Sequence, residues 1–166
     1  MTAIAIRPEE PRDHAAIGVV TQAAFADTPH SDGSEVRIIE RLRSDGDLTL
    51  SLVAEDGERI VGHVAVSPVQ ISDGSPGWYG LGPIAILPSL QRRGIGSRLM
   101  QRAIADMRMR GARGLVLLGD PAYYSRFGFE HDPALRYPGP LPEYFQRLVV
   151  AGDAPSGTVR YAPAFG

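Results

Sequence analysis

One stretch decides how this chain is read: Leu81-Gly-Pro-Ile-Ala-Ile-Leu-Pro-Ser-Leu-Gln-Arg-Arg-Gly-Ile-Gly-Ser-Arg-Leu99. It begins as a strand, 78–87, interrupted by Gly80, Gly82 and Pro83. A proline inside a sheet removes a ladder donor and predicts a bulge. A bulged strand leaves backbone groups free to bond an extended ligand. A long helix follows, from about Gly94 to Arg110. Its apolar set, Ile95, Leu99, Met100, Ala103, Ile104 and Met107, forms one stripe. The positive start of a helix normally attracts Asp or Glu. Here Gln91, Arg92, Arg93 and Arg98 flank it, and no carboxylate offsets them. Gly94 and Gly96 let something bulky approach the backbone. A positive helix end, bare amide donors and paired guanidiniums describe a site for a polyanion such as pyrophosphate. The plainer alternative is a solvated arginine cluster on an ordinary strand–helix turn.

The kind of phosphate ligand can be narrowed. The chain has no lysine, so no phosphate loop of the Gly-Lys-Ser/Thr type exists. Gly94-Ile-Gly-Ser-Arg-Leu99 lacks the third glycine of a dinucleotide fingerprint, and Pro88 to Arg93 separate it from the strand. Asp120, after the next strand, keeps a nicotinamide reading alive but weak. A ligand with a pyrophosphate end and an amide-bearing arm fits both the turn and the bulged strand. Coenzyme A has that shape.

The rest of the chain supplies the frame. It has 166 residues, 43% hydrophobic and 22% charged, enough for one globular domain over 1–166. Seventeen basic against 19 acidic residues give a net charge of −2, which argues against a general nucleic-acid binder. No cysteine is present, so disulfides, thiolate catalysis and Cys-based metal sites are excluded, and no metal is expected. No apolar run reaches membrane-spanning length, and the start shows no signal-peptide pattern, which predicts a cytoplasmic protein with no membrane partner.

Short strands are predicted over 3–7, 48–55, 59–72, 78–87, 114–118 and 158–161. Helices are predicted over 12–25, 34–43, 94–110, 122–127 and 142–150. Ser34 is the expected cap of the second helix, and Asp56-Gly57 signals a hairpin. The hairpin implies antiparallel neighbours; strand–helix–strand over 78–118 implies one parallel crossover. The expected fold class is α/β or α+β: a mixed, mostly antiparallel central sheet with helices on both faces.

At this point a resemblance is plain. Ile84-Ala-Ile-Leu-Pro followed by Gln91-Arg-Arg-Gly-Ile-Gly-Ser-Arg-Leu99 resembles the acyl-CoA-binding motif, Gln/Arg-x-x-Gly-x-Gly/Ala, of the GNAT superfamily of N-acetyltransferases. Gly119-Asp-Pro-Ala-Tyr-Tyr-Ser-Arg-Phe-Gly-Phe129 is similar to that family's second motif, a tyrosine four residues before Gly-Phe. With Trp78-Tyr-Gly-Leu-Gly-Pro83 the chain looks most like the bacterial YhbS-like branch. Many members carry an Asn that reaches the coenzyme arm; here that place reads Leu118-Gly-Asp-Pro121, so that contact is not carried over.

The resemblance implies the GNAT fold and transfer of an acetyl group from acetyl-CoA to a primary amine of a small molecule or peptide. Tyr124 matches the tyrosine placed near the coenzyme sulfur as proton donor. Helical spacing puts Tyr123 and Phe127 on one face, for the local core, and Tyr124 about 100° away. Backbone groups of Ile84, Ala85 and Ile86 are expected to hold the pantetheine arm. Gln91, Arg92, Arg93, Gly94, Ile95, Gly96 and Ser97 are expected to hold the pyrophosphate. The base is less legible: the strand 78–87 carries no acid. Glu35 is the chosen candidate, beside Asp27, His63, Asp120 or a water chain. Glu35 also has a helix-dipole explanation, and a lone strand histidine is more often structural. The acceptor pocket is expected from residues 25–35 and 130–150, with Asp27, Asp32 and Glu35 hinting at a cation. Dimerisation is common among similar proteins, and nothing in these letters specifies an interface. A non-catalytic acyl-CoA sensor is the alternative reading.

Overall fold

The computed structural model describes residues 3–28 and 31–166. The stretch 29–30 of the expected acceptor loop lies outside the described residues.

Strand β1 (Ile4–Pro8) leads through a 3-10 turn into helix α1 (His14–Phe25), then α2 (Glu35–Asp45). Strands β2 (Leu50–Asp56) and β3 (Arg59–Pro68) form the expected hairpin. Its two-residue loop, Gly57-Glu58, closes Asp56 against Arg59 with Gly57 at φ 65°. The expected single strand over 59–72 breaks instead. β3 ends at Pro68, which has no amide to continue a ladder, and β4 (Gln70–Ile71) leaves for a second sheet. Then come β5 (Trp78–Ile86), α3 (Ile95–Met109), β6 (Gly114–Leu118), α4 (Pro121–Tyr124), β7 (Leu135–Arg136), β8 (Phe145–Val149) and β9 (Gly157–Arg160).

The expected helix over 142–150 is overturned. Pro142–Tyr144 make one 3-10 turn, and Phe145–Val149 pair antiparallel with β6, from Leu118↔Phe145 to Gly114↔Val149. Short apolar runs are ambiguous between helix and strand, and the open edge of β6 supplied the hydrogen-bond partners that settle it. Ser34 does precede α2, but its hydroxyl bonds Asp32 rather than capping the helix.

The main sheet has the order β1-β2-β3-β5-β6-β8, antiparallel except at β5/β6, which α3 connects. A small second sheet, β4-β9-β7, flanks it. Helices cover both faces. A Cβ on Gly62 would come within 3.2 Å of Leu99 of α3. The next residue, His63, points the opposite way and meets the Ser51 hydroxyl at 2.7 Å. That hydroxyl reaches Glu9, which Arg43 of α2 grips at 3.0 and 3.1 Å. Leu99, Met100, Ala103 and Met107 are fully buried on the core side of α3; truncating one such side chain costs about 2–5 kcal/mol.

The expected bulge is present. Pairing of β3 with β5 steps from Val64↔Ile84 to Val66↔Leu81, so Gly82-Pro83 carry one extra residue. β5 and β6 pair only at Trp78↔Gly114, Tyr79↔Leu115 and Gly80↔Val116. Past that point Leu117 and Leu118 pair with β8 alone. The sheet therefore forks, and the β6-facing edge of Ile84–Ile86 has no strand partner among the described residues.

Candidate active site

The fork opens onto the start of α3. Gly94 precedes the helix in the left-handed region, at φ 83°. The first intrahelical bond runs from the Arg98 amide to the Gly94 carbonyl, at 3.1 Å. The amides of Ile95, Gly96 and Ser97 lie before it and have no helical acceptor. No acidic residue stands in this turn. Arg92, Arg93 and Arg98 form no ion pair among the described residues. The Gln91 side-chain amide donates to the Ile86 carbonyl at 3.1 Å and pins the turn to the end of β5.

A cleft of about 530 Å³ gathers these groups. Ile84, Ile86, Gln91, Arg92, Tyr124 and the run from Gly94 to Ser97 all line it. Two expected residues do not. Ala85 is buried and sits opposite His63 on the far face, so only its backbone lies at the fork. The Arg93 side chain is absent from the lining.

Tyr124 packs its ring against the main core while lining the cleft. Burial, with a smaller contribution from Tyr123, pushes its phenol up to about 12. At neutral pH the hydroxyl is protonated and able to donate. It has no hydrogen-bond partner among the described residues.

Tyr123 departs from expectation. It shares a face with Phe127, with ring centroids 5.6 Å apart, but it is half-buried and lines the cleft. Its hydroxyl lies 3.1 Å from Ser97 Oγ. The short helix was too brief for face arithmetic to separate core from cleft; a 3-10 turn, Ser125–Phe127, follows at once. Arg126 was missed altogether. Its guanidinium sits 4.4 Å from the Tyr123 ring centroid, Nε donates to the Tyr123 carbonyl at 2.8 Å, and the residue lines the cleft. The signal was available: residues three apart on a turn are neighbours, and arginine stacks on aromatic faces. Ala24 and Phe25, from the end of α1, and Thr28 just beyond it close the other wall.

The base candidates are scattered. Glu35 accepts from the Ser31 hydroxyl at 2.7 and 2.9 Å and lines a separate depression, which shares only Phe25 with the cleft. Asp27 is exposed and lines neither. Asp120 caps α4, accepting from the Ala122 amide at 2.9 Å. His63 is fully buried, and desolvation holds its imidazole down at about 4. No Asp, Glu or His among the described residues lines the cleft.

The sequence profile of the acetyltransferase (GNAT) family matches residues 13–129. The chain belongs to the GNAT acetyltransferase family. That match spans the fork, the glycine turn and both tyrosines, and it removes the nicotinamide reading. The GNAT chain is 38% identical to the uncharacterized N-acetyltransferase YhbS of Escherichia coli K12 over 157 residues, covering 92% of this chain and 90% of the relative. A crystal structure of a GNAT family acetyltransferase from Brucella melitensis, in complex with acetyl-CoA, superposes with TM-score 0.89 at 44% identity over the full length of both chains. The crystal structure of Escherichia coli YhbS in complex with CoA superposes with TM-score 0.91 at 32% identity, covering 99% of this chain and 93% of that one. Among the described residues no helix of this GNAT chain is long and apolar enough to cross a membrane.

Proposed function

We infer that this chain transfers an acetyl group from acetyl-CoA to a primary amine of a small molecule or peptide, in the cytoplasm where that thioester is made and spent. One observation carries the reading: α3-start amides without a helical acceptor, a β5 edge without a strand partner among the described residues, and a neutral tyrosine hydroxyl share one cleft. The acetyl-CoA and CoA complexes of the two similar structures support it.

Acetyl-CoA supplies an acetyl group already activated as a thioester. The amides of Ile95, Gly96 and Ser97 bind its pyrophosphate, where the helix dipole and the Arg92 guanidinium favour negative charge. The backbone of Ile84, Ala85 and Ile86 bonds the extended arm as an added strand would. The same unpaired amides offer a donor to the thioester oxygen as charge develops there. Tyr124 donates its proton, or a hydrogen bond, to the departing sulfur. With no acid or imidazole lining the cleft among the described residues, the amine's proton leaves through water, and Glu35 stands on the acceptor side rather than at the reacting atoms.

Two measurements test this. CoA, but not NAD, should raise the melting temperature by mass action. Thiol release should then follow when a panel of primary amines is added with acetyl-CoA. Binding without release from any amine would favour the acyl-CoA sensor instead.

A further inference from the structure

Gly119 lies between β6 and α4 and is not among the glycines with positive φ. Its backbone is therefore open to any residue, and conformational freedom does not explain it. Its surroundings do. A Cβ built on Gly119 would lie 2.7 Å from Cδ2 of Tyr124, nearer still to Cε2, and 3.2 Å from Cζ. The Tyr124 ring occupies the space a side chain would take.

The seat is fastened from behind. The Gly119 amide donates to the Tyr144 carbonyl at 2.9 Å. The Gly119 carbonyl accepts from Nε2 of Gln146, also at 2.9 Å. Gln146 is 1% exposed, and its Oε1 has no partner among the described residues. A buried amide satisfied on one side only is costly, and a hydrocarbon of that shape would serve packing better. Its single bond is thus the feature that accounts for it.

We propose that Gly119 and Gln146 are positioning residues: Gly119 leaves the space that seats the Tyr124 ring beside the cleft, and Gln146 locks Gly119 in place. The inference rests on Tyr124 being the proton donor. The seat acts on where the hydroxyl points, not on coenzyme affinity, because neither Gly119 nor Gln146 lines the cleft.

The test uses the full chain with Tyr labelled at the ring Cζ carbon, the Tyr124 resonance being assigned by its loss in Tyr124→Phe. Gly119→Ala should shift the Tyr124 titration down toward ordinary tyrosine as the ring is pushed out. It should also lower kcat on the order of 100-fold, the usual effect of displacing a reacting group by about 1 Å, while the acetyl-CoA KM stays near wild type. In the Tyr124→Phe background the same substitution should leave kcat almost unchanged. Gln146→Met keeps the volume and removes the donor; it should show both effects in smaller degree, and it carries the test if Gly119→Ala does not fold. An unshifted titration, or an equal kcat loss with and without the Tyr124 hydroxyl, overturns the proposal. Wild-type turnover in Tyr124→Phe alone strikes the donor role instead, with the titration still reporting the seat.

Discussion

The Tyr123 hydroxyl lies 3.1 Å from Ser97 Oγ, so the turn that carries Tyr124 is tied to the first turn of α3. Tyr123→Phe removes that tie and leaves the ring, with the Arg126 stack, in place. A neutral hydrogen bond contributes about 0.5–1.5 kcal/mol, so the acetyl-CoA KM should rise roughly 2- to 10-fold with kcat nearly kept. Steady-state kinetics at saturating amine read this directly. A kcat collapse matching Tyr124→Phe would move the donor role to Tyr123.

Tyr124→Phe should behave in the opposite way. Loss of a positioned proton donor lowers kcat by roughly 100- to 10,000-fold with little change in acetyl-CoA KM. The pH dependence has a definite sign. The phenol, raised to about 12, keeps its proton until well above the ordinary value of 10.0, so no Tyr124-linked loss of turnover should show below that value. The folded state holds this proton where the unfolded chain releases it. Stability from Tyr124 is therefore full below 10 and declines as pH climbs toward 12. A turnover loss titrating between pH 8 and 9 that disappears in Tyr124→Phe would contradict this.

Arg92 is the only non-glycine with positive φ among the described residues, at 66°. A side chain held there costs about 1 kcal/mol or more relative to glycine, and such strain collects where function needs it. Arg92→Gly should thus keep or slightly raise the melting temperature while raising the acetyl-CoA KM several-fold. The KM effect should shrink in high salt, because the attraction of an exposed guanidinium for a phosphate is screened by ions. A KM unmoved at low salt would leave Arg92 outside the phosphate site.

His63 predicts an acid limb in the stability curve. Its imidazole, held at about 4 by burial, stays neutral in the fold while the unfolded chain protonates near 6.5. The unfolded state binds the extra proton, so stability is full above 6.5 and drains away as pH falls to 4, by roughly 3 kcal/mol in all. Glu9, which Arg43 and Ser51 hold below the usual carboxylate range against its own burial, adds loss of the same sign lower down. Denaturant melts of wild type and His63→Gln across this window give the His63 share by difference. Parallel curves would show that His63 does not titrate in this way.

Much of the site was legible because its chemistry is local. A helix start flanked by arginines and glycines is a contiguous signal, and so is a proline that must bulge a strand. The glycine turn and the bulge at Gly82-Pro83 followed from neighbours in sequence, while Tyr124 was singled out by the family resemblance and lines the cleft. What failed was long-range. The segment 145–149 became a strand because β6 offered an edge. Tyr123 moved from core to cleft because Ser97, 26 residues earlier, stood opposite its hydroxyl. The separation of Glu35 from Tyr124 belongs to the same class, whereas the Arg126–Tyr123 contact is local, three residues apart, and was within reach of the sequence.

The letters alone determined the charge pattern at the α3 start, the interruption of β5 and the residue types available for chemistry, since these depend on covalent order and local backbone preference. Only the folded chain decided that β5 and β6 part after Gly80, that Gly119 yields its side-chain space to Tyr124, and that no described carboxylate reaches the cleft. Those outcomes depend on which distant edges find hydrogen-bond partners and which side chains compete for one volume, and neither is written in any short run of sequence.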